Sequence, residues 1–555
     1  MATHLVKKKI HGRFYWYAVE STRVDGKPRS RYVAYLGSAQ DIVRRKESEA
    51  APRSFSRSHG VVSALKRLAG RLRIAETIDE TLPQRERSSI ASVGTTLLLA
   101  AIGRAAHPTS KRGFAAWAAT TTIPRLFGVN VAKMTSPFFW DQMDLVPEQA
   151  LAIMESQILA RAVREFGVTT DLLLYDTTNF FTYIATDNKH CDLPQRGDSK
   201  QRRNDLRQMA LALLVSRDGG VPLGSYVYRG NRNDVSVFTE AFAALRERLT
   251  VMAVAIESIT FVYDKGNVSK ANQERLEGVG YVTALVPSHH KDLLAQDESS
   301  SEALADGTRV WRARKHLWGK EQTVVMLVSE QLRQGQRAGL DQHLGKALLR
   351  LERIRQGLRA ARRRRPRAAV ETAVAGVCEA PQLKGVVTAK ILERRPGFFD
   401  LDYHVDMERY EQLCAHFFGR RLLVTNREQW STQEIVAAYR GQAHVERAFR
   451  TVKDPFHLAV RPQYHWTDQK IRVHIFCCLM GYLLASLMLR EARRAGWTCG
   501  SRQMLDLLEQ VRLATYIEER GEGRPGRPKM KTRLEDCSPD AMRLYHLFVP
   551  EEEES

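Results

Sequence analysis

Two short apolar runs, each ending in Tyr-Asp, constrain the fold of this chain more than any other sequence feature. The runs are LLLYD, which ends at Asp176, and TFVYD, which ends at Asp264. Apolar runs of this length predict strands that are buried in a sheet. Each aspartate then closes a strand at the edge of an open α/β sheet, where ligands bind. An acid after a strand also serves as a cap or turn residue, but the repeated context favours a functional pair.

The segments around these runs predict a mixed α/β sheet flanked by helices. Strand character is found in four segments, residues 169–184, 208–231, 257–267 and 280–287. Helical patterns follow Asn233 and cover residues 268–277. The order of strand, hairpin, helix, strand, helix and strand is typical of such a sheet.

The charge balance indicates a nucleic-acid partner. The 555 residues include 85 Lys and Arg against 63 Asp and Glu, which gives a net charge of +22. Such a balance attracts polyanions, although a basic protein with no such partner stays an alternative. A chain of this length, with 43% hydrophobic residues, is expected to form several domains.

Cysteine usage and the apolar segments indicate a cytoplasmic protein. The seven cysteines contain no CxxC pair, which argues against a disulfide framework and a zinc module. The N-terminus has no apolar segment typical of an export signal. The longest apolar run, residues 475–489, is too short to span a bilayer comfortably and predicts a buried core helix. We therefore expect no membrane partner.

Changes of texture along the chain predict six regions. Alternating residues around RVDGKPRS predict an N-terminal β hairpin with Asp25 and Gly26 in its turn, and Ala- and Leu-rich helical periods follow. The predicted regions are an N-terminal β element (1–59), an all-helical DNA-binding domain (60–165), the first part of the α/β core (166–290), a β-rich insertion domain (291–430), the second part of the core (431–495) and a C-terminal region (496–555).

The stretch AAYRGQAHVERAFRTVKDPF contains one glutamate, Glu446, in a helical pattern. Spacings of three and four residues place five side chains along one side of a single helix, namely Tyr439, Gln442, Glu446, Phe449 and Lys453. In one interpretation this is a surface helix whose acid pairs with neighbouring arginines. In the other, Glu446 is a third carboxylate that leans over the strand ends, because two Mg²⁺ ions at a phosphodiester need several carboxylate ligands.

These residues resemble the signature of a known family. The pattern Y-x2-R-x3-E-x6-K marks a group of DDE insertion-sequence transposases, whose catalytic core is RNase H-like. Tyr439, Glu446 and Lys453 match it at the right spacing, and Gln442 replaces the arginine. The segments RGDSKQRRNDLRQ, YRGNRNDVSVF and LLVTN are also similar to this class. The phosphate contact of the missing arginine is left to Arg440, to Gln442 or to neither.

The resemblance implies catalytic residues, cofactors and partners. Asp176, Asp264 and Glu446 would be catalytic and would coordinate two Mg²⁺ ions, for which Mn²⁺ substitutes. The long interval between Asp264 and Glu446 fits the β-rich insertion that such enzymes carry. Tyr439 and Lys453 would contact DNA near the scissile phosphate. The implied partners are double-stranded DNA, as transposon ends and as target, and further copies of the chain in a homodimer or higher oligomer, at the bacterial nucleoid.

The other DNA-binding candidates are basic or aromatic side chains, namely Arg440, Arg450, Lys200, Arg203, Trp311 and Trp318. Lys200 and Arg203 fall in a predicted loop near the sheet edge. The two tryptophans alternate with basic residues, a pattern that suits stacking on an unpaired base. Core packing is the alternative for both.

The predicted function is that of a transposase. It would bind the terminal inverted repeats of its element, hydrolyse the phosphodiester at each end and use the released 3′-hydroxyl to attack target DNA. Two other functions are compatible with the same core, a nuclease without strand transfer and a catalytically inert DNA-binding derivative. The derivative requires the loss of an acid, whereas all three are present.

Overall fold

The first part of the chain forms strands and then helices. In this computed structural model, the described residues are 3–24, 27–48, 53–83, 90–197, 203–294, 301–380, 383–454, 458, 460, 465–518 and 529–551. The elements before residue 167 are β1 (Thr3–Ile10), β2 (Arg13–Val24), β3 (Lys27–Gly37), α1 (Ala39–Ser48), β4 (Arg53–Ser58), α2 (Gly60–Arg71), α3 (Ile74–Thr81), α4 (Val93–Ala106), α5 (Lys111–Ala119), α6 (Ile123–Phe127), α7 (Ser136–Asp144) and α8 (Glu148–Phe166). The predicted change to helical structure near residue 60 is confirmed.

Strands and helices then alternate to the end of the chain. The elements are β5 (Leu172–Phe181), β6 (Gln208–Ser216), β7 (Pro222–Arg229), α9 (Asp234–Val251), β8 (Thr260–Tyr263), α10 (Lys270–Arg275), β9 (Gly280–Leu285), α11 (Lys291–Leu294), β10 (Glu302–Ala303), β11 (Arg309–Leu317), β12 (Lys320–Val328), α12 (Glu330–Arg359), α13 (Arg367–Cys378), β13 (Val387–Arg395), β14 (Phe398–Val405), α14 (Met407–His416), β15 (Arg420–Thr425), α15 (Thr432–Arg440), α16 (Gln442–Lys453), α17 (Asp468–Arg494), α18 (Ser501–Glu509), β16 (Arg512–Glu518), β17 (Lys529–Leu534) and α19 (Pro539–Phe548). The four segments predicted to form strands contain β5 to β9.

The chain divides into two compact units. The first consists of Met1–Ala64, Ala118–Leu126 and Leu505–Ser555, and the second of Leu65–Trp117 and Phe127–Met504. The first unit contains two antiparallel sheets of three strands, β1-β2-β3 and β17-β16-β4. In the second of these sheets, β4 pairs with β16 from Arg53 opposite Ile517 to Ser58 opposite Arg512. Strands from near both ends of the sequence therefore share one sheet.

The N-terminal β element has one more strand than the predicted hairpin. Strands β2 and β3 pair as predicted, but β1 also pairs with β2. His11 and Gly12 connect β1 to β2, with φ of 45° and 81°. Two-residue turns with positive φ at both positions are typical of hairpins, because they match the twist of the antiparallel strands that they join. The predicted turn at Asp25 and Gly26 lies outside the described residues.

A nine-stranded mixed sheet forms the centre of the second unit. Its order is β10-β11-β12-β15-β9-β8-β5-β6-β7. Strand β5 pairs antiparallel with β6 and parallel with β8, and β8 pairs parallel with β9. All nine residues of β6 are buried, which explains why its sequence is apolar without alternation. The predicted mixed α/β sheet flanked by helices is confirmed at this level.

The predicted insertion domain is not separate from the sheet. Strands β11 and β12 form a hairpin that joins the central sheet through β15, which pairs in turn with β9. The rest of the insertion, α12 to α14 with the β13-β14 hairpin, encloses its own apolar core. Apolar residues of β12 and β15, such as Val325 and Leu423, belong to the core of the central sheet. Burial of these strands against the sheet explains why the insertion does not form a domain that is entirely its own.

One face of the central sheet is covered by α15, α16 and α17, whose apolar residues share a core with β5, β6 and β8. Helix α17 is long and apolar enough to cross a membrane, and 94% of its most apolar 18-residue stretch is buried inside the protein. This burial is what the sequence predicts for a core helix. On the other face, the ring of Phe238 in α9 packs edge-on against Tyr175, with ring centroids 5.2 Å apart.

Candidate active site

Asp176 and Asp264 follow paired residues of two neighbouring parallel strands. Strands β5 and β8 are in register up to Tyr175 opposite Tyr263, and each aspartate comes next. Asp264 has an extended backbone, with φ of −78° and ψ of 158°. Successive side chains of extended chain alternate between faces, and Leu174 and Val262, two residues earlier, lie in the core under α16. Both carboxylates therefore belong to the face of the sheet that α16 covers.

One part of the strand prediction is wrong. Asp264 ends its strand as predicted, but Asp176 lies inside β5, which continues to Phe181. The reason is the unequal length of the neighbouring strands. Strand β6 pairs with β5 as far as Phe181 opposite Gln208, whereas β8 ends at Tyr263. Asp176 is consequently at the end of the β5-β8 ladder and in the middle of the β5-β6 ladder.

The helix predicted over residues 437–456 is two helices. Helix α15 ends at Arg440 and α16 begins at Gln442, with Gly441 between them. A Cβ atom at Gly441 would lie 2.8 Å from the Ala438 carbonyl oxygen and 3.2 Å from Leu174 Cδ2. Glycine therefore allows the chain to turn directly above β5. The five side chains predicted on one side of a single helix are divided between two helices.

Tyr439 connects α15 to Asp264. Its side chain is buried, with 7% exposure, and its hydroxyl donates a hydrogen bond to Asp264 Oδ1 at 3.3 Å. Burial and the negative charge of Asp264 raise the pKa of Tyr439 to about 12, with a smaller contribution from Glu446 and an opposing one from Arg421. The phenol is thus protonated at neutral pH and acts as a hydrogen-bond donor.

Two hydrogen bonds attach α16 to β5 on either side of Asp176. Gln442 Nε2 donates to the Tyr175 carbonyl oxygen at 3.4 Å, and Lys453 Nζ donates to Thr178 Oγ1. The Lys453 ammonium also lies 5.6 Å from the centroid of the Phe180 ring. Gln442 is buried, so it makes a structural contact where the family signature has an arginine. Lys453 brings a cation beside the strand that carries Asp176.

Glu446 lies on α16 between these two attachments, and its side chain is exposed. It is seven residues before Lys453, two helical turns, and so lies on the same side of the helix. In the described part of the chain, no three His, Cys, Asp or Glu side chains converge closely enough to hold a metal ion. The expected convergence of Glu446 with both aspartates is therefore not observed. Repulsion between carboxylate charges opposes it.

The chemistry of the donor set nevertheless fits a hard divalent cation. Asp176 and Asp264 supply carboxylate oxygens from adjacent strands, and Glu446 supplies a longer side chain from the helix over the same face. Oxygen ligands of this type are those that Mg²⁺ takes in proteins, usually with water and substrate phosphate completing the shell.

The predicted basic contacts have different environments. Arg440 forms an ion pair with Asp306 and donates to Thr308 Oγ1 at 2.7 Å, whereas Arg450 is exposed on α16. Arg203 forms an ion pair with Asp205 at 2.8 Å and lies 5.6 Å from the Phe181 ring, at the end of β5. Lys200 lies outside the described residues. Arg203, Arg440 and Arg450 therefore all keep at least part of their side chains open to solvent.

The structure favours core packing for one tryptophan. Trp311 is 7% exposed and belongs to a core with Leu285 and Leu422. Trp318 is partly buried, at the tip of the β11-β12 hairpin, and its ring centroid is 6.5 Å from that of Tyr281. Stacking of Trp311 on a base is incompatible with its burial, because the ring has no free face. The prediction that Trp311 binds DNA is therefore corrected.

Sequence reasoning assigned no role at the site to Arg421 or to Thr178. Arg421, in β15, places its guanidinium 5.3 Å from the centre of the Tyr439 ring. Thr178 accepts the hydrogen bond of Lys453. A charged residue beside the apolar run of GRRLLVTN is the one signal for Arg421, and it does not reveal a neighbour as distant in sequence as Tyr439.

Comparison with known proteins identifies a related domain. Residues 182–484 match the family described as "Transposase DDE domain". This range contains Asp264 and Glu446 and begins after Asp176. No curated protein matches the chain. Among solved structures, the chain is similar to a piggyBac transposase in a synaptic complex with hairpin DNA, with 8% identity, a TM-score of 0.34, and coverage of 81% of this chain and 79% of that one.

Proposed function

The chain belongs to the transposase DDE domain family, and on this premise we propose that it moves an insertion sequence by cutting and joining DNA. The protein binds the terminal inverted repeats of the element, hydrolyses a phosphodiester at each end, and directs the released 3′-hydroxyl onto target DNA. The observation that carries this proposal is the position of Asp176 and Asp264, which follow paired residues of adjacent strands beneath the helix that bears Glu446.

The topology of the sheet supports an RNase H-like core. In the order β7-β6-β5-β8-β9, the first three strands along the chain are antiparallel, and the next two are parallel to β5. The remaining four strands extend this sheet beyond β9. We assign the RNase H-like core to the five strands β5 to β9 together with α15, α16 and α17.

Transposase DDE domains generally use divalent metal ions, and the residues that would hold them here are Asp176, Asp264 and Glu446. Two Mg²⁺ ions, or Mn²⁺ in their place, activate water and neutralise charge on the phosphate when bound. The oxygen donors and their solvent access support this assignment. Asp264 is exposed beside a hydroxyl donor, so its orientation is set by the protein before any ligand binds.

The neighbouring side chains would position the DNA and the carboxylates. Tyr439 holds one oxygen of Asp264 through its hydroxyl, and its raised pKa of about 12 makes it a poor nucleophile at neutral pH. This supports direct hydrolysis and transesterification without a covalent tyrosine intermediate. Lys453 provides positive charge for the scissile phosphate next to β5. Because Gln442 is bound to the Tyr175 carbonyl, the phosphate contact of the missing arginine falls to other cations, among them Arg421 beside the Tyr439 ring.

One assay tests the proposed function. Purified full-length protein is incubated with labelled terminal-repeat DNA, a target plasmid and Mg²⁺. Joined product supports transposition, cleavage without joining supports a nuclease, and binding without cleavage supports an inert derivative. The variants D176N, D264N and E446Q should each bind the DNA and lose cleavage and joining by about a thousandfold or more, since each removes an ionised ligand.

Two control variants make the loss specific. D171N removes an exposed acid next to the start of β5, and E247Q removes an exposed glutamate on α9. Both change the net charge by the same amount as the site variants and should retain activity within about twofold, since distant exposed acids leave the site intact. Wild-type joining by E446Q would contradict the assignment of Glu446.

A further inference from the structure

A pocket lies between α16, α17 and the β6-β7 turn. It is distinct from the carboxylate face, the group formed by Asp176, Asp264 and Glu446. Its volume is about 50 Å³, enough for a few water molecules or one small tetrahedral group. Helix α16 contributes His444, Arg447 and Thr451, and α17 contributes Ser486 and Arg493. The polar part of the lining consists of two guanidinium groups, an imidazole and hydroxyls, beside the apolar Ala485 and Leu489, and among the described residues it includes no acid.

Two acids close to this pocket in sequence, Asp218 and Glu491, form ion pairs with arginines that do not line it. Arg490 binds Asp218 through Nε at 2.8 Å and Glu491 at 2.6 Å, and Arg494 lies 3.7 Å from Glu491. Within the described residues, Arg447 and Arg493 form no ion pair with a carboxylate, and both are exposed. Arg447 and Arg493 lower the pKa of the partly buried His444, after burial itself, and Arg217 adds to their effect. Arg217 is paired with Asp171 at 3.1 Å, so the cations of this pocket without a carboxylate partner among the described residues are Arg447 and Arg493.

The pocket and Glu446 lie on opposite sides of helix α16. The buried stripe of the helix includes Val445, Ala448 and Val452. At 100° per residue, Glu446 lies on one side of this stripe and Thr451 on the other. Arg450 and Arg447 are exposed on the outer surface between the two sides. A row of cations thus leads from the carboxylates over the helix to the pocket.

We propose that this pocket binds a phosphate of the DNA backbone and anchors the duplex across the outer surface of α16. The proposal rests on the proposed function, because it takes DNA to be the substrate at Glu446. Guanidinium pairs are suited to phosphate oxygens, which they bind through several N–H donors. A helix is about 10–12 Å across, which corresponds to about three phosphates of one strand at about 3.4 Å each. The anchored phosphate would therefore lie about three phosphates along the strand from the scissile one.

The test measures DNA affinity as a function of salt. Binding of full-length protein to labelled terminal-repeat duplex is followed by fluorescence anisotropy from 50 to 300 mM salt. The double variant R447A/R493A should bind about tenfold more weakly or worse, and its plot of log affinity against log salt should be shallower by about one to two. The same loss is expected with a duplex of random sequence, since phosphate contacts carry no sequence information.

The control is R246A/R275A. Arg246 in α9 and Arg275 in α10 are exposed arginines on elements away from α16, so this variant loses the same charge. Equal affinities and salt slopes for the two double variants would overturn the proposal. Thermal unfolding of both variants at the wild-type temperature excludes misfolding as the cause of weaker binding, because exposed side chains contribute little to stability.

Two further measurements are needed. One distinguishes a DNA phosphate from free phosphate as the ligand of the pocket, and the other distinguishes failure of the pocket proposal from failure of the proposed function. The first is thermal unfolding in 10 mM inorganic phosphate. If phosphate stabilises the wild-type protein but not R447A/R493A, and both proteins bind DNA with equal affinity, the pocket is a small-anion site and the DNA assignment is overturned. The control variant R246A/R275A should cleave at the wild-type rate, because it leaves both the carboxylates and the pocket intact. Failure of the wild-type protein to cleave would refute the proposed function, while the salt dependence of binding would still decide the role of the pocket.

Discussion

Two groups of titratable side chains in the second unit have opposite environments. At the carboxylate face, Asp264 and Glu446 are open to solvent. Near α5 and α17, Lys111 Nζ lies 2.7 Å from His465 Nε2, the His465 and His474 rings stack with centroids 4.6 Å apart, and His474 Nε2 is 3.6 Å from Cys478 Sγ. Exposed carboxylates are accessible to ions, whereas burial disfavours the charged forms of His465 and His474. Variants of the first should therefore change activity, and variants of the second should change stability.

The buried group gives the largest expected effect on stability. Burial lowers the pKa of His465 and His474 well below the usual value of 6.5, and the neighbouring cations Arg104 and Lys111 lower both further. Because the folded protein resists protonation that the unfolded chain accepts below 6.5, stability is lost as the pH falls through that value. The free energy of unfolding should drop by about 2 kcal/mol per histidine between pH 6.5 and 5.

Chemical denaturation at both pH values measures this loss. The variant H465Q/H474Q should lose less stability on acidification than the wild-type protein does, whatever its stability at pH 7. H316Q, which replaces an exposed histidine, serves as the control and should follow the wild-type pH dependence. An equal loss in H465Q/H474Q and wild type would show that other groups control acid sensitivity. Lys111, whose pKa burial and Arg104 lower to about 8, acts in another window, with stability rising from pH 8 towards 10.5.

Gly441 tests whether the carboxylate face depends on close packing of α15 and α16 over β5. The variant G441A should destabilise the protein by about 1–3 kcal/mol, because its Cβ would lie 2.8 Å from the Ala438 oxygen and 3.2 Å from Leu174. It should also lower cleavage by displacing Glu446. G345A in α12 has open space at the Cβ position and should stabilise the protein by about 0.5–1 kcal/mol. Equal stability of the two variants would show that α16 is free to shift.

Removing the Tyr439 hydroxyl is expected to have the smallest effect, a modest decrease in the cleavage rate. Y439F removes the hydrogen bond to Asp264 and should slow cleavage about tenfold, which corresponds to about 1.4 kcal/mol. Y226F removes a longer hydroxyl contact with Glu240, of 3.4 Å, on another part of the sheet and should cleave at the wild-type rate. If Y439F cleaves as fast as Y226F, the phenol does not position the carboxylate.

The sequence predicts the central strands well because their burial dictates their composition. Continuous apolar runs identify β5, β6, β8 and β9. The matched Tyr-Asp contexts favour a pair of aspartates, and in the structure the preceding residues, Tyr175 and Tyr263, lie opposite each other on adjacent strands. The spacing of Glu446 and Lys453 likewise predicts their common side of one helix. These features depend on local periodicity, which a single sequence contains.

Other features depend on partners that local periodicity does not encode. The break at Gly441 has helical dihedral angles, with φ of −54° and ψ of −22°, so the pattern runs through it without interruption. The pairing of β12 with β15 and of β4 with β16 joins segments far apart in the chain. Trp311 has the same basic neighbours in sequence whether it faces solvent or a core. In each case the deciding contact is distant in sequence.

Binding of Mn²⁺ tests the central claim most directly, namely that Asp176, Asp264 and Glu446 share one cation site. Electron paramagnetic resonance measures free Mn²⁺ during titration of the full-length protein bound to terminal-repeat DNA. We predict that D176N, D264N and E446Q each weaken binding at least about tenfold, while D171N binds as the wild-type protein does. Wild-type affinity in E446Q would show that Glu446 is not a ligand and would contradict the account.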